Sequence, residues 1–376
     1  MRFRHPDGST VHLSYCTNMH PAEDLVGIIA QLHTFAGPVR RLLGWPLLGV
    51  GLWLPAPVAR LLASDARALG LLRSALREEQ LEVVTLNGFP YRAFQAEVVK
   101  GAVYRPDWLE PERLEYTVDL ARVLHRLLPE DAVEGSISTL PFGWRTRFPE
   151  GTASADEPMH QVADELQALA RDFGRPVRLA VEPEPGCVVE TMDAGVRAVS
   201  RLAVPEWIGM CLDACHLATQ FEDEGVLDLC DAEKVSVFKA QVSNALRVNE
   251  SDRSWLKDFA EPRFMHQIRQ RDGYGEDDLT EHTGESFDPQ QEWRVHYHLP
   301  LDQTERTTQP ELRSTLRALV GGPSARTHHL DVETYTWSVL PGADRPQSAQ
   351  ALTKGIAGEL NWTADRLTEL GLEPLR

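Results

Sequence analysis

Along this chain, short runs of apolar residues alternate with longer stretches in which apolar positions return every three or four residues. The short runs are VHLSYCTNMH (11–20), LLGVGLWLP (47–55), LEVVTLNGFPY (81–91), EGSISTLPFGW (134–144), VRLAVEPEPG (177–186), WIGMCLDACH (207–216), VSVFKAQVSNAL (235–246) and THHLDVETYTW (327–337). Runs that stay apolar until their last residues predict strands buried on both faces, as in a parallel sheet. The stretches between them, such as PERLEYTVDLARVLHRLL and QVADELQALARDF, have the period of amphipathic helices, and ALTKGIAGELNWTADRLTELG closes the series. Eight strands, each followed by a helix, predict an α/β fold, a (β/α)8 TIM barrel forming a single domain over residues 1–376. The rival, an open doubly wound sheet with a dinucleotide site, would need a glycine-rich phosphate turn after the first strand, and none is there.

One region breaks the alternation. Residues 248–291 are long and polar, running through WLKDFAEPRFMHQIRQRDGYG into the acidic GEDDLTEHTGESFD. They follow the seventh strand, which predicts a rim insertion or lid at the C-terminal mouth of the barrel. An extra strand, EWRVHYHLPL, then precedes the seventh helix.

Polar residues gather where the strands end, which is where a barrel of this kind carries its chemistry. Glu182 and Glu184 lie in AVEPEPG, whose prolines stop the strand. Asp213 and His216 end the sixth run, Gln241 lies in FKAQVSNAL, and Glu333 ends the eighth run with Asp331 and His329 on the same face. Carboxylates buried close together need a cation or protons to neutralise them. Two Glu, one Asp and a neutral donor suit a divalent metal, with Mn, Zn or Mg the candidates. His296 and His298 alternate onto one side of their strand, where the H-x-H pair can face a substrate or a second metal. His20 either lines the pocket or caps the helix that follows. Lys239, one alternation step from Gln241, is placed to polarise a substrate oxygen, and Arg178 shares the face of Glu182 but nearer the floor. Trp144, Phe142, Tyr335 and Trp337 are candidates to pack against a substrate ring. His12, His125, His160, His266 and His282 have no comparable context and read as structural or solvated.

Composition narrows the partners. A formal charge of −18 disfavours a nucleic-acid partner, whose binding rests on clustered Lys and Arg, and also repels anionic lipid. The apolar stretch 42–59 holds three prolines and three glycines, so its middle reads as a buried strand rather than a membrane insertion. The first residues carry no apolar secretory segment, and the five cysteines form no CxxC pair, which together favour a cytoplasmic protein with reduced thiols.

These strand ends resemble the xylose-isomerase-like barrel superfamily of sugar-phosphate isomerases, ketose epimerases and endonuclease IV-type nucleases. Within it, YCTNMHPAED, TLNGFPYRAF, VYRPDW, GSISTLPFGW, EPRFMHQI, RVHYHLPL and DVETYTW resemble the metabolite-traffic EboE family, and they span nearly the whole chain. The resemblance implies metal ligation by Glu182, Asp213, Gln241 and Glu333, with His216, His296 and His298 at a substrate or a second metal. Two departures bear on this: the epimerases usually have His at the Gln241 position, and RAFQAE replaces the family's pattern after LNGFPY. It also implies a secondary-metabolite biosynthesis or export pathway, with proteins of the same operon as possible partners.

The chemistry expected is isomerisation or epimerisation of a small sugar- or cyclitol-like metabolite, with Glu182 and Glu333 on opposite faces of the substrate, one taking a proton and the other returning it. The alternatives are a non-catalytic binding or traffic protein that keeps the pocket, and a metal-assisted phosphoester hydrolase.

Overall fold

Each of the eight apolar runs supplies one strand of a closed parallel barrel. The strands are β1 (Thr10–Cys16), β2 (Leu48–Trp53), β3 (Thr85–Asn87), β4 (Gly135–Thr139), β5 (Val177–Val181), β6 (Ile208–Asp213), β7 (Val237–Val242) and β8 (His329–Val332). Every consecutive pair is parallel, and β8 returns to pair with β1, so the sheet has no free edge within the ring. The fold is therefore a (β/α)8 TIM barrel. The computed structural model describes residues 1–280, 282–285 and 287–376. Glu281 and Ser286, in the acidic end of the 248–291 insertion, lie outside the described residues.

The membrane-like stretch contains β2, all of whose residues are buried between β1 and β3. Among the described residues no helix is long and apolar enough to cross a membrane. β5 stops at Val181, short of the expected extent, because Pro183 and Pro185 cannot continue a ladder. The run 235–246 is not one strand. β7 ends at Val242, and after Ser243 the chain enters a second, four-stranded antiparallel sheet. That sheet joins Asn244–Val248 to Trp293–Leu299, then Ile268–Gln270, then Gly275–Glu276. The long insertion is thus folded around the H-x-H strand.

The barrel interior is polar and stacked in layers. Lys239 on β7 and Asp331 on β8, both without solvent exposure, form an ion pair at 3.0 Å. Ser14 on β1 donates to the other Asp331 oxygen at 2.8 Å. Gly51 on β2 is required here, since a Cβ would lie 2.1 Å from the Asp331 carboxylate. Nearer the floor, Ser136 bonds His329 Nδ1 and Thr85, and Arg178 pairs with Glu134 at 2.8 Å. The main hydrophobic core fills the space between strands and helices, and a second cluster of Trp53, Phe94, Val99, Phe264 and Tyr335 is separate from it.

Candidate metal centre

Three carboxylates converge at the mouth of the barrel from strands well apart in sequence. Glu182 follows β5, Asp213 is the last residue of β6 and Glu333 follows β8. One oxygen of each lies within 4.8 Å of the other two. All three side chains are buried, and Glu182 Oε2, Asp213 Oδ2 and Glu333 Oε2 have no hydrogen-bond partner. Gln241 sits beside Asp213 in the register of β6 and β7, buried, with both amide atoms unpaired. Orphaned buried oxygens of this kind are costly unless something positive satisfies them. Two glutamates, an aspartate and an amide make an oxygen-rich donor set that fits a hard divalent cation.

The electrostatics carry the same strain. Burial pushes Glu182 up despite the nearby His216, with repulsion from Asp213 adding to it. Burial raises Glu333 well above the usual carboxylate range, and Glu182 and Asp213 push it further. Asp213 goes the other way: burial opposes its charge, but His216, His298 and the hydrogen bonds it accepts hold it low.

Asp213 divides its two oxygens between two tasks. Oδ1 accepts from the backbone N–H of Cys215 at 2.7 Å and of His216 at 3.0 Å, capping the helix Ala214–Thr219, and also from Ser243 Oγ at 2.8 Å. Oδ2 is the one left free. Glu333 is similarly half committed, its Oε1 accepting from Asn18 at 2.6 Å and Asn87 at 3.0 Å.

Beside the carboxylates stand three histidines, each with Nδ1 facing an oxygen that can only accept. His216 Nδ1 donates to Pro183 O, His298 Nδ1 to Glu333 O and His296 Nδ1 to Gln267 Oε1, each at 2.7 Å. These acceptors fix the hydrogen on Nδ1 and leave Nε2 bare in the neutral ring, the arrangement by which proteins orient metal-binding imidazoles. His216 Nε2 lies 3.0 Å from both His296 Nε2 and Glu184 Oε2, and His298 Nε2 lies 3.9 Å from Asp213 Oδ2. Three ligand-like groups include these histidines: Glu184 with His216 and His296, Asp213 with His216 and His298, and Cys215 with His296 and His298. Burial works against charge on His216, yet Asp213, Glu184 and Glu182 lift it to about 9. Burial lowers His298 to about 4 and raises Glu184 to about 7.

Of the candidates read from the sequence, Glu182, Asp213, Glu333, His216, His296 and His298 come together here, and Gln241 is the neighbour of Asp213 across the β6–β7 register. Lys239 does not line the cavity: it faces the barrel interior one layer down, where Asp331 neutralises it. His20 is elsewhere too, lining a separate cavity with Tyr15, Leu32 and Trp53 and stacking on Phe35 at 4.4 Å. The position near the end of β1 that reaches the site is Asn18, because Thr17–Met19 is a turn of 3-10 helix and breaks the alternation. Tyr335 lines the cavity, whereas Phe142 is core and Trp337 bonds Glu359 on the last helix. Asn18, Asn87 and Tyr104 were not anticipated, although Asn87 is the polar end of β3 and carries the same signal as the others.

The closed barrel and its rim of carboxylates and imidazoles define the class: a TIM barrel with a candidate cation site at the C-terminal mouth. Over residues 49–272 the sequence matches the xylose isomerase-like TIM barrel family, and the chain belongs to it. No curated protein sequence matches the chain. Among solved structures, the IOLI protein with a bound zinc atom is 12% identical, with a TM-score of 0.54 over 96% of this chain and 99% of that one. A xylose isomerase-like barrel from Mycobacterium smegmatis in complex with magnesium is 12% identical, with a TM-score of 0.51 over 95% and 98%. D-allulose 3-epimerase from Methylomonas sp. in complex with D-allulose is 13% identical, with a TM-score of 0.50 over 95% and 97%. At these identities the likeness is one of fold.

Proposed function

We propose that this protein is a metal-dependent enzyme acting on a small hydroxylated, sugar- or cyclitol-like metabolite by isomerisation or epimerisation. Glu182, Asp213, Gln241 and Glu333 would hold one divalent cation, Mn, Zn or Mg. The observation that carries this is the buried convergence of three carboxylates whose inward oxygens have no partner. When bound, such a cation chelates neighbouring substrate oxygens and makes the proton between them easier to remove. Glu182 and Glu333 do the proton work, one taking it from the substrate carbon and the other returning it. Burial shifts both above the ordinary carboxylate value, Glu333 well above it. Asn18 and Asn87 keep the Glu333 carboxylate oriented through Oε1. The zinc-bound, magnesium-bound and D-allulose-bound fold neighbours support the reaction class. The sequence likeness to the EboE family supports a cytoplasmic role in a secondary-metabolite pathway, beside proteins of the same operon.

Elemental analysis tests this after reconstitution with manganese or zinc. One ion per chain is expected in the wild type, with affinity reduced at least tenfold in Asp213→Asn and Glu333→Gln. Solvent deuterium should enter a hydroxyketone substrate at the carbon beside its oxygen pair in the loaded wild type and not in Glu182→Gln. No stoichiometric metal in any form would end the proposal, and ligand binding without exchange would favour the carrier alternative.

A second reading has its own support in the convergence of the His216, His296 and His298 imidazoles with Glu184 and Asp213. A second cation there would suit phosphoester hydrolysis, which uses paired metals. Release of p-nitrophenol from p-nitrophenyl phosphate, lost in His298→Ala, would favour it over epimerisation.

A further inference from the structure

Above the layer of carboxylates and imidazoles, the wall of the cavity is carbon. Phe89, Phe94, Val99, Val103, Phe264 and Met265 line it. Phe94, Val99 and Phe264 belong to the separate apolar cluster with Trp53 and Tyr335. The polar groups that reach this upper wall are already committed within the protein. Lys100 Nζ donates to Glu261 O at 2.9 Å, Phe264 O at 2.7 Å and Asp278 Oδ2 at 2.6 Å, which uses all three of its hydrogens. Tyr104 OH donates to Glu184 Oε1 and accepts from Gln267, both at 2.9 Å, and Tyr335 OH faces His296 Nε2 at 3.3 Å. Asn87 donates to Glu333 and accepts from the Phe89 backbone. Around the cavity, the buried polar atoms left without partners, Asn18 Oδ1, Glu182 Oε2, His298 Nε2 and Glu333 Oε2, all belong to the lower layer.

We propose that the substrate is amphiphilic, with a pair of adjacent oxygens at one end and an apolar, ring-sized body against Phe94, Phe264 and Met265, rather than a free sugar. This rests on the cation reading above and narrows its hydroxylated substrate to one that carries an apolar body. A sugar oxygenated at every carbon would press hydroxyls against a wall that offers them nothing, and each unsatisfied hydroxyl costs binding energy. An apolar ring in the same place gains by leaving water. Aryl hydroxy-acids and aryl- or alkyl-substituted hydroxyketones, which carry a C–H beside the oxygen pair, fit this description.

Hydroxamates isolate the feature, because acetohydroxamate and benzohydroxamate present the same oxygen pair on different bodies. Calorimetric titration of the manganese-loaded full-length protein should find benzohydroxamate at least tenfold tighter than acetohydroxamate, with xylitol weaker than both. In Phe264→Asn the ratio should fall toward one while acetohydroxamate affinity holds. If that variant does not fold, the wild-type ratio decides alone. Equal affinity for the two hydroxamates, or displacement of benzohydroxamate by xylitol, overturns the apolar body and leaves the cation site standing. Failure of both hydroxamates to bind overturns the cation site and this inference with it.

Discussion

His216 and His296 face each other Nε2 to Nε2 at 3.0 Å, and each has its Nδ1 hydrogen bonded to an oxygen that can only accept. Two neutral rings held this way would oppose lone pair to lone pair, so a proton or a cation must lie between them. If a cation takes the place, zinc-saturated wild type binds one more ion per chain than His296→Ala, measured by elemental analysis after gel filtration. If a proton takes it, the two contents are equal, and the ring resonances of His216 in the wild type report an imidazolium at neutral pH. That is the direction in which Asp213, Glu184 and Glu182 drive this ring.

The Lys239–Asp331 pair gives a sharp stability test. Both groups are fully buried, so Lys239→Met leaves Asp331 as an uncompensated charge and is expected to cost about 3–5 kcal/mol in denaturant unfolding. Adding Asp331→Asn should recover much of the loss, because removing both charges also removes the desolvation penalty. A double variant no more stable than the single one would show that the pair is not what Lys239 serves.

Glu359 on the last helix accepts from Thr334 at 2.5 Å, Trp337 at 3.1 Å and the Leu301 backbone at 3.3 Å, tying the segments that follow Glu333 and His298. Burial raises it from an ordinary 4.5 to about 8, against the pull of those three bonds. The folded protein therefore keeps this proton while the unfolded chain releases it. Stability from this group is full below about pH 4.5 and falls as pH rises, by about 1.4 kcal/mol per unit, until it levels near 8. Glu359→Gln lacks that slope. The stability gap between wild type and variant should narrow between pH 5 and pH 8 in urea titrations.

Lys100 holds the segment after β3 against the insertion through its three bonds, and Arg263 O receives the backbone N–H of both Val99 and Lys100 at 2.8 Å. The space beneath is only about 40 Å³, room for a few waters or an ion but not for a metabolite. Loosening this roof would enlarge the space open to a ligand. Lys100→Ala should speed hydrogen exchange across residues 93–104 and 261–268 and raise the association rate of benzohydroxamate several-fold, with unfolding changed by about 1 kcal/mol or less. Unchanged exchange would assign the gating to another contact.

The barrel was legible because strands buried on both faces are written as unbroken apolar runs, and all eight such runs became staves. The same continuity hid the end of β7. An apolar run looks alike whether it stays in one sheet or crosses to another, and the crossing comes at Ser243, whose side chain bonds Asp213. Gln241 and Asp213 could be read together as polar strand ends because both lie within regular strands. His20, read as the end of the first strand, lies beyond it, because regular strand ends at Cys16. For Lys239 alternation identified the face but not the depth, and the acid waiting at that depth is on β8, more than ninety residues away. The histidine tautomers were illegible, since they depend on carbonyls such as Pro183 O and Glu333 O that only the folded backbone brings near.

Asp213 anchors a helix with one oxygen and leaves the other bare. Its free half cannot drift without unravelling the first turn of Ala214–Thr219, so the carboxylate behaves as a rigid fixture rather than a swinging arm. Lengthening it by one methylene in Asp213→Glu would keep the charge and yet forfeit both duties together. Evolution of a different guest at this mouth therefore has freer play at Gln241 or in the roof than at this one aspartate.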